Sequence, residues 1–181
     1  LSGYFLAPTI IDFQEIIFLS IGGCFLAGSS NAFNQIIEKD YDKKMQRTKN
    51  RPIPTGRMSV TYALFVSVFM LILGLISLYV LNPITAMYGA ISVFIYTCVY
   101  TPLKSITPLS VFLGAIPGAI PFMLGWVSAT NDFSIEPGIL FMIQFFWQFP
   151  HFWAIAWMTN DDYSSAAVSY THLRAHETVS Y

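Results

Sequence analysis

The side chains best suited to chemistry lie in one stretch between residues 31 and 57. Asn34, Glu38 and Asp42 follow one another at intervals of four. On an α-helix, where each residue turns by about 100°, this spacing keeps three oxygen-bearing side chains on one face. Mg²⁺ prefers hard oxygen ligands and is usually held by one or two carboxylates together with waters and substrate phosphates. The spacing therefore predicts a magnesium site that binds a phosphorylated substrate.

Three cations are placed where they could bind the phosphate groups of that substrate. Arg47 and Arg51 follow shortly after the acidic residues, and the planar guanidinium group presents paired donors that match phosphate oxygens. Lys104 stands alone between two long uncharged stretches. Its ammonium group is therefore expected at the membrane surface, where it can meet a substrate phosphate or a lipid headgroup. Together these residues predict a site for a metal-chelated diphosphate.

A lipid-binding surface is the alternative interpretation of the same charges. Seven of the nine Lys and Arg residues lie between positions 39 and 57, and each base near an anionic membrane surface contributes about 1 kcal/mol to binding. This accounts for Lys39, Lys43 and Lys44. It does not account for the register of the acidic residues, because anionic lipid repels carboxylates. A nucleic-acid site is not indicated, since the bases are mixed with acids and adjoin an apolar segment.

A second polar group lies further along the chain. Gln144, Gln148 and His151 occupy positions i, i+4 and i+7 of an otherwise apolar and aromatic segment. Polar side chains at membrane depth are unfavourable and usually functional; for His151 the alternative is a histidine that only makes a hydrogen bond between helices. Asp161 and Asp162 follow this segment and can supply a second group of carboxylates for the metal.

The elements that must position these residues are membrane helices. Only 10% of the 181 residues are charged, against about a quarter in soluble domains. A helix needs about 20 apolar residues to cross the hydrocarbon core, and the continuous apolar runs lack the alternation typical of barrel strands. The sequence thus predicts an all-α, polytopic transmembrane helical bundle, with residues 1–7 as the end of an earlier span. Five complete spans are expected at about 16–37, 60–81, 84–101, 108–128 and 138–157.

The bases also predict which way the bundle faces. Lys and Arg concentrate in cytoplasmic loops, so the loop at 38–59 is placed in the cytoplasm. Alternation then places the segments around Lys104 and Asp161 on the same side, and the turns at 82–83 and 129–137 outside. The loops with candidate chemistry therefore meet at one face of the membrane. This argues against a membrane transporter, whose sites usually lie at the bilayer midplane.

Two smaller features concern helix packing. A tandem Gly-Ala-Ile-Pro repeat occupies residues 114–121. Its prolines should bend the helix, and Gly114 and Gly118 should let a neighbouring helix approach closely. Cys24 and Cys98 each lie within a predicted span, so no disulfide is expected.

The acidic stretch is similar to a known family motif. Asn-x-x-x-Glu-x-x-x-Asp at residues 34–42, followed by Arg-Thr-Lys-Asn-Arg-Pro-x-Pro-x-Gly at 47–56, resembles the first Asp-rich motif of the UbiA-type intramembrane prenyltransferases. In that family the middle acid is usually Asp. Tyr-Thr-Pro-Leu-Lys at 100–104, Gln-Phe-Pro-His-Phe-Trp-Ala at 148–154 and Asp-Asp-Tyr at 161–163 resemble the branch that modifies haem.

The resemblance implies an activity, a cofactor and a set of site residues. The implied activity is transfer of the farnesyl group of farnesyl diphosphate to a vinyl group of haem b, with addition of water, giving haem O. Prenylation of an aromatic quinone precursor is the alternative. Mg²⁺ is the implied cofactor, bound by Asn34, Glu38 and Asp42. The implied catalytic residues are Asn34, Glu38, Asp42, Asp161 and Asp162, those for diphosphate are Arg47, Arg51 and Lys104, and those for haem are Gln148, His151 and Trp153.

The resemblance also divides the chain. Residues 1–166 are expected to form one membrane-embedded domain that lacks both ends of the family's domain. Residues 167–181 are polar where the family continues with an apolar run, and they are interpreted as adapter-derived sequence. This stretch of chain alone is therefore expected to be inactive. The expected location is a bacterial-type inner membrane, with the active-site loops in the cytoplasm.

Overall fold

The structure is a computed structural model that describes residues 1–107 and 109–158, apart from the side chain of Ala156. Within those residues every regular element is helical, which confirms the all-α fold. The long helices are α2 (Phe13–Ile37), α4 (Val60–Leu81), α5 (Pro83–Phe94), α7 (Ser110–Thr130) and α8 (Ile135–Met158), and the short ones are α1 (Ser2–Leu6), α3 (Lys39–Asp42) and α6 (Thr101–Leu103). A π-helical turn over Ile95–Tyr100 joins α5 to α6.

Most of the predicted spans form helices with the length and composition of a membrane crossing. Four such segments occur among the described residues: Phe13–Ile37, Val60–Leu81, Pro83–Leu103 and Ser110–Thr130. The fifth predicted span forms as α8, which has 24 residues. The architecture is that of an integral membrane protein with a helical bundle.

The ends of the helices follow from capping residues. The Asp12 side chain accepts a hydrogen bond from the backbone N of Gln14 at 2.7 Å, so α2 begins at residue 13, about one turn before the predicted start. Asn82 caps α5 by accepting from the backbone N of Thr85 at 2.7 Å. Asn131 ends α7 with a left-handed backbone at φ 54°, a conformation that Asn adopts more readily than most residues.

Helices α2 and α4 pack against each other through small residues. A Cβ built on Gly22 would lie 2.6 Å from Leu78 Cδ2, and one on Gly74 would lie 2.8 Å from Leu26 Cδ2. The hydroxyl of Ser29 donates to the backbone oxygen of Ser67 at 2.8 Å. Close approach of small residues and hydrogen bonds between helices are the usual means of packing helices in lipid.

The two ends of the bundle are distinguished by contacts between loops. At one end the Lys104 ammonium lies 2.6 Å from a carboxylate oxygen of Glu38, which joins the 38–59 loop to the segment after α6. At the other end Asn82 Nδ2 donates to the backbone oxygen of Val127 at 3.2 Å. The described segments therefore alternate between the two ends, as the sequence predicts.

Helix α7 contains two prolines, and a neighbouring helix bonds to the carbonyl group that the second of them leaves free. Pro121 has no N–H to donate to the carbonyl four residues earlier, which belongs to Pro117. The Ser92 hydroxyl of α5 donates to that oxygen at 3.4 Å. The neighbouring helix thus satisfies a backbone group that proline leaves unpaired, and α5 and α7 are held together at this level.

The short helix α1 packs against the same α7. Gly3 lies so close to the backbone oxygen of Phe122 that a Cβ there would collide with it. Tyr4 is buried, and its hydroxyl donates to a carboxylate oxygen of Glu15 at 2.8 Å. These contacts attach residues 1–7 to the bundle.

Candidate active site

The three residues of the acidic motif stay in helical register across a break. Asn34 lies in the last turn of α2, Glu38 is its C-cap with φ −94° and ψ 7°, and Asp42 ends α3. The backbone N of Glu38 donates to Asn34 O at 2.9 Å, and that of Asp42 donates to Glu38 O at 2.8 Å. A continuous helical face was expected, and although α2 ends at Ile37, these two bonds preserve the four-residue spacing.

Asn34 makes direct contact with the next member of the motif. Its side chain is buried, and Nδ2 donates to Glu38 Oε2 at 3.1 Å and to the hydroxyl oxygen of Thr101 at 3.4 Å. The contact with Thr101 brings α6, which is distant in sequence, against the end of α2.

Glu38 forms an ion pair with Lys104. The Lys104 ammonium lies 2.6 Å from Oε1 and 2.7 Å from Oε2 of Glu38. Each side chain is only 15% exposed. A carboxylate so enclosed is unfavourable unless a cation neutralises it, and Lys104, 66 residues further along the chain, supplies that cation.

Asp42 forms the second ion pair, with Arg51. The NH1 group of Arg51 donates to both Asp42 carboxylate oxygens, at 3.0 and 2.8 Å, and the Asp42 side chain is only 3% exposed. The Thr48 hydroxyl donates to the Asp42 backbone oxygen at 3.1 Å. Arg47, by contrast, is exposed, and the described residues offer it no ion pair. We call Asn34, Glu38, Asp42, Arg51, Thr101 and Lys104 the polar cluster.

The donor set of the polar cluster suits Mg²⁺. One amide and two carboxylates are hard oxygen ligands, in the number that Mg²⁺ commonly takes from protein. No group of three His, Cys, Asp or Glu side chains suited to a metal occurs among residues 1–107 and 109–158. Any binding metal would compete with Lys104 and Arg51 for the carboxylates.

A cavity of about 600 Å³ lies beneath the polar cluster, between α2, α5, α7 and α8. Most of its wall is apolar. On α2 the wall ends at Asn31, one turn before Asn34, and on the π-helical turn it ends at Tyr96, whose backbone oxygen accepts from the Thr101 hydroxyl at 2.8 Å. The cavity therefore leads from the middle of the bundle toward the polar cluster.

The structure brings part of the second predicted group to this cavity. Gln148 and His151 line it, and the His151 ring stacks on Trp147 with 5.0 Å between centroids. Gln144 is not part of the wall. Trp153 is 65% exposed and is not part of the wall either, so its assignment to haem stays a prediction.

Two glycines of the Gly-Ala-Ile-Pro repeat let side chains from other segments approach α7 closely. A Cβ on Gly114 would lie 2.7 Å from the Tyr100 ring, and one on Gly118 would lie 2.7 Å from the Gln148 side-chain carbon. Gln148 Nε2 also donates to the Gly118 backbone oxygen at 3.4 Å. The predicted close approach at both glycines is present.

Sequence reasoning missed Thr101 and the π-helical turn that carries it. The π turn precedes Pro102, whose ring would crowd the carbonyl four residues earlier in an α-helix. Pro102, directly after the predicted span at 84–101, was the available signal, and π turns are frequent at functional sites. The free Cys24 and Cys98 agree with the expectation of no disulfide. Asp161, Asp162 and residues 167–181 lie outside the described residues.

Comparison with known proteins places this geometry in a family. The sequence profile of the UbiA prenyltransferase family matches residues 1–180. A relative named protoheme IX farnesyltransferase, from Christiangramia forsetii, is 64% identical over 162 residues, which are 90% of this chain and 54% of that protein. The mitochondrial protein of that name from Homo sapiens is 37% identical over 94% of this chain and 40% of its own length. The chain thus spans about half the length of the curated relatives it matches.

Two solved structures share the fold at low identity. The apo structure of a UbiA homolog from Aeropyrum pernix K1 superposes with a TM-score of 0.76 and 20% identity, over 91% of this chain and 62% of that one. A UbiA homolog from Archaeoglobus fulgidus, bound to GPP and Mg²⁺, superposes with a TM-score of 0.69 and 17% identity, over 92% and 59%. With the acidic motif, the helical bundle and the matching profile in agreement, the chain belongs to the UbiA prenyltransferase family.

Proposed function

We propose that the protein containing this chain transfers the farnesyl group of farnesyl diphosphate to a vinyl group of haem b, giving haem O. The observation that carries the proposal is a polar cluster of two carboxylates and two bases at the end of an apolar cavity of about 600 Å³. The names of relatives with 64% and 37% identity support haem as the acceptor. A cavity with apolar walls suits both a prenyl chain and a porphyrin.

Asn34, Glu38 and Asp42 would hold Mg²⁺ with the diphosphate. The bound ion would neutralise the charge that develops on the leaving group. The allylic carbon–oxygen bond breaks with its electron pair leaving on the diphosphate. The farnesyl carbon then bonds to one vinyl carbon, and a water oxygen adds to the other with loss of a proton. Asp161 and Asp162 are proposed as a second carboxylate group near the metal.

Lys104 and Arg51 would change partners when the substrate binds. In the free protein each base neutralises a carboxylate at 2.6 to 3.0 Å. When the metal takes those carboxylates, the two cations can turn to the diphosphate oxygens, which carry the compensating negative charge. Arg47 is exposed beside them and is proposed as a further phosphate ligand.

The cavity would protect the reacting carbon from water. Phe152 lines the cavity, and its ring centroid lies 6.0 Å from that of Tyr100, whose ring is 5.8 Å from the Lys104 ammonium. Aromatic faces attract a developing carbocation. Gln148 and His151 line the cavity and are proposed to bind haem. The proposed location is a bacterial inner membrane with the polar cluster on the cytoplasmic side, where its basic loop would lie.

A product assay with the full-length protein tests the proposal. The enzyme is offered farnesyl diphosphate and Mg²⁺ with either haem b or 4-hydroxybenzoate, and the products are identified by mass. We expect a haem product that carries farnesyl and water. A prenylated benzoate without a haem product would establish the quinone-precursor alternative instead.

Two variants connect that assay to the site. Glu38→Gln and Asp42→Asn should each abolish Mg²⁺-dependent product formation, since both remove a charged ligand. Asp40→Asn is the matched control, because Asp40 lies in the same segment with its side chain 75% exposed and forms an ion pair with the exposed Lys43. Full activity in Glu38→Gln and Asp42→Asn would show that the metal site lies elsewhere.

A further inference from the structure

Thr101 lies where α6 begins, directly after the π-helical turn. Its side chain is almost completely buried, at 2% exposure. Its hydroxyl donates to the backbone oxygen of Tyr96, five residues earlier, at 2.8 Å. A hydroxyl has one proton to donate, so the Thr101 oxygen can only accept a further hydrogen bond. It presents an acceptor to the end of α2.

Asn34 faces two acceptors, and they decide how its amide is turned. An ionised carboxylate only accepts hydrogen bonds, and Glu38 Oε2 lies 3.1 Å from Asn34 Nδ2. The Thr101 oxygen lies 3.4 Å from the same nitrogen. The two N–H groups of the amide therefore each have one acceptor. Turning the amide over would place Oδ1 against two acceptors, which is unfavourable because neither could donate to it.

The amide oxygen of Asn34 is consequently the atom left for a ligand. Among the described residues no hydrogen bond to Oδ1 occurs, although the side chain is 7% exposed. Oxygen, and not the amide nitrogen, is the atom that coordinates a hard cation. With Nδ2 facing the metal, Asn34 could not coordinate it.

The π turn explains how Thr101 reaches this position. Pro102 follows it, and an α-helical path would crowd the proline ring against the carbonyl of Cys98. The wider π turn avoids that contact, and the Thr101 backbone N bonds to the oxygen of Tyr96 instead. The hydroxyl and the backbone N of Thr101 are thus held by one carbonyl group, which fixes the side chain.

We propose that Thr101 is a positioning residue that orients the Asn34 amide so that Oδ1 faces the bound metal. This inference rests on the proposed function of Asn34 as a magnesium ligand. Thr101 itself touches neither the metal nor the substrate; it acts through the hydrogen bond from Nδ2. Without the hydroxyl, the amide would be held by Glu38 alone and could turn.

The test compares Thr101→Val with Thr101→Ser in the full-length protein. Valine keeps the shape and loses the hydroxyl, whereas serine keeps the hydroxyl. We expect Thr101→Val to raise the Mg²⁺ concentration needed for half-maximal turnover by about three- to tenfold, the range for loss of one hydrogen bond. In Thr101→Ser the Mg²⁺ concentration needed for half-maximal turnover should stay within about twofold of the wild-type value. The KM for haem should not change in either variant.

Binding gives a readout that does not depend on turnover. Mn²⁺ replaces Mg²⁺, and its binding with inorganic diphosphate is followed by electron paramagnetic resonance. Thr101→Val should weaken Mn²⁺ binding by the same factor. Thr97→Val is the matched control, since Thr97 lies on the same π turn, is buried at 9% exposure and finds no hydrogen-bond partner for its hydroxyl among the described residues. The Thr97→Val protein should bind Mn²⁺ as the wild type does.

A second background keeps the test decisive if Thr101→Val folds poorly. Asp in place of Asn34 presents two equivalent oxygens, so no amide has to be oriented. Thr101→Val should therefore have no further effect on Mn²⁺ binding in the Asn34→Asp protein. Equal metal binding by wild type and Thr101→Val, or equal losses in Thr101→Val and Thr97→Val, would overturn the inference. Absence of Mn²⁺ binding to the wild type would instead refute the proposed function.

Discussion

At the scale of single residues, the two ion pairs of the polar cluster connect metal binding to phosphate binding. Glu38 and Asp42 are each enclosed by protein, at 15% and 3% side-chain exposure, and each has one base as its counterion. Removing a partner from an enclosed pair leaves an uncompensated charge. The same lysine and arginine that neutralise the two carboxylates are therefore the groups that a metal must displace.

Replacing Lys104 tests this relation directly. Lys104→Met removes the competitor for Glu38, and we expect Mg²⁺ alone to bind more tightly than in the wild type. Inorganic diphosphate with Mg²⁺ should bind more weakly by roughly ten- to a hundredfold, because a charged hydrogen bond of about 1.5–3 kcal/mol is lost. Isothermal titration of each ligand measures both effects.

Lys44→Met is the control for that substitution. Lys44 is an exposed base in the same polar segment, and the described residues give it no ion pair. The Lys44→Met protein should bind Mg²⁺ and diphosphate as the wild type does. Weaker binding of Mg²⁺ alone to Lys104→Met would contradict the competition between Lys104 and the metal.

At the scale of elements, the contact between α7 and α8 places the polar side chains of the cavity. Gly118 leaves the space that Gln148 occupies, with the Gln148 amide oxygen 2.8 Å from where a Cβ would lie. Gln148 is buried at 7% exposure and still lines the cavity. The spacing of the two helices therefore determines where this amide stands.

Adding a methyl group at Gly118 should displace Gln148 from the wall. For Gly118→Ala we expect a higher KM for haem with an unchanged Mg²⁺ requirement, and a free energy of unfolding lower by about 1–3 kcal/mol. Steady-state kinetics and thermal unfolding in detergent measure these effects. Gly138→Ala is the control, since a Cβ at Gly138 meets nothing within 4 Å. Equal KM values in the two variants would exclude Gln148 from haem binding.

At the scale of the whole molecule, the polar cluster joins α2, α3 and α6 with the loop that carries Arg51, and ligand binding there should stabilise the entire bundle. A ligand that binds only the folded state stabilises it by about 2.7 kcal/mol at 100 times its Kd. Because the carboxylates already have counterions, Mg²⁺ and diphosphate should act together.

Thermal unfolding in detergent measures this cooperation. We expect a large rise in Tm with Mg²⁺ and inorganic diphosphate together, a small one with either alone, and none when a chelator is added to both. Inorganic phosphate serves as the anion control and should raise Tm less than diphosphate. A full rise in Tm with Mg²⁺ alone would contradict the exchange of partners in the cluster.

The sequence by itself determined the helices and the acidic register. Long uncharged runs must form helices in lipid, because each backbone polar group has to find its partner within its own segment. The spacing of Asn34, Glu38 and Asp42 is likewise a local property, and it survives the end of α2 because backbone bonds four residues apart continue through Glu38. The polar positions of α8 could be identified in the same way, because Gln144, Gln148 and His151 interrupt an otherwise apolar and aromatic run.

Only the tertiary structure decided which charges meet. Lys104 is 66 residues from Glu38 along the chain, and Thr101 is 67 from Asn34; no sequence period relates such positions. Their pairing depends on how α6 packs against the end of α2, and on the wider π turn that Pro102 favours. The exposure of side chains on α8 also depends on packing. Gln148 lies at the cavity, where α7 packs against α8, whereas Trp153 on the same helix is exposed.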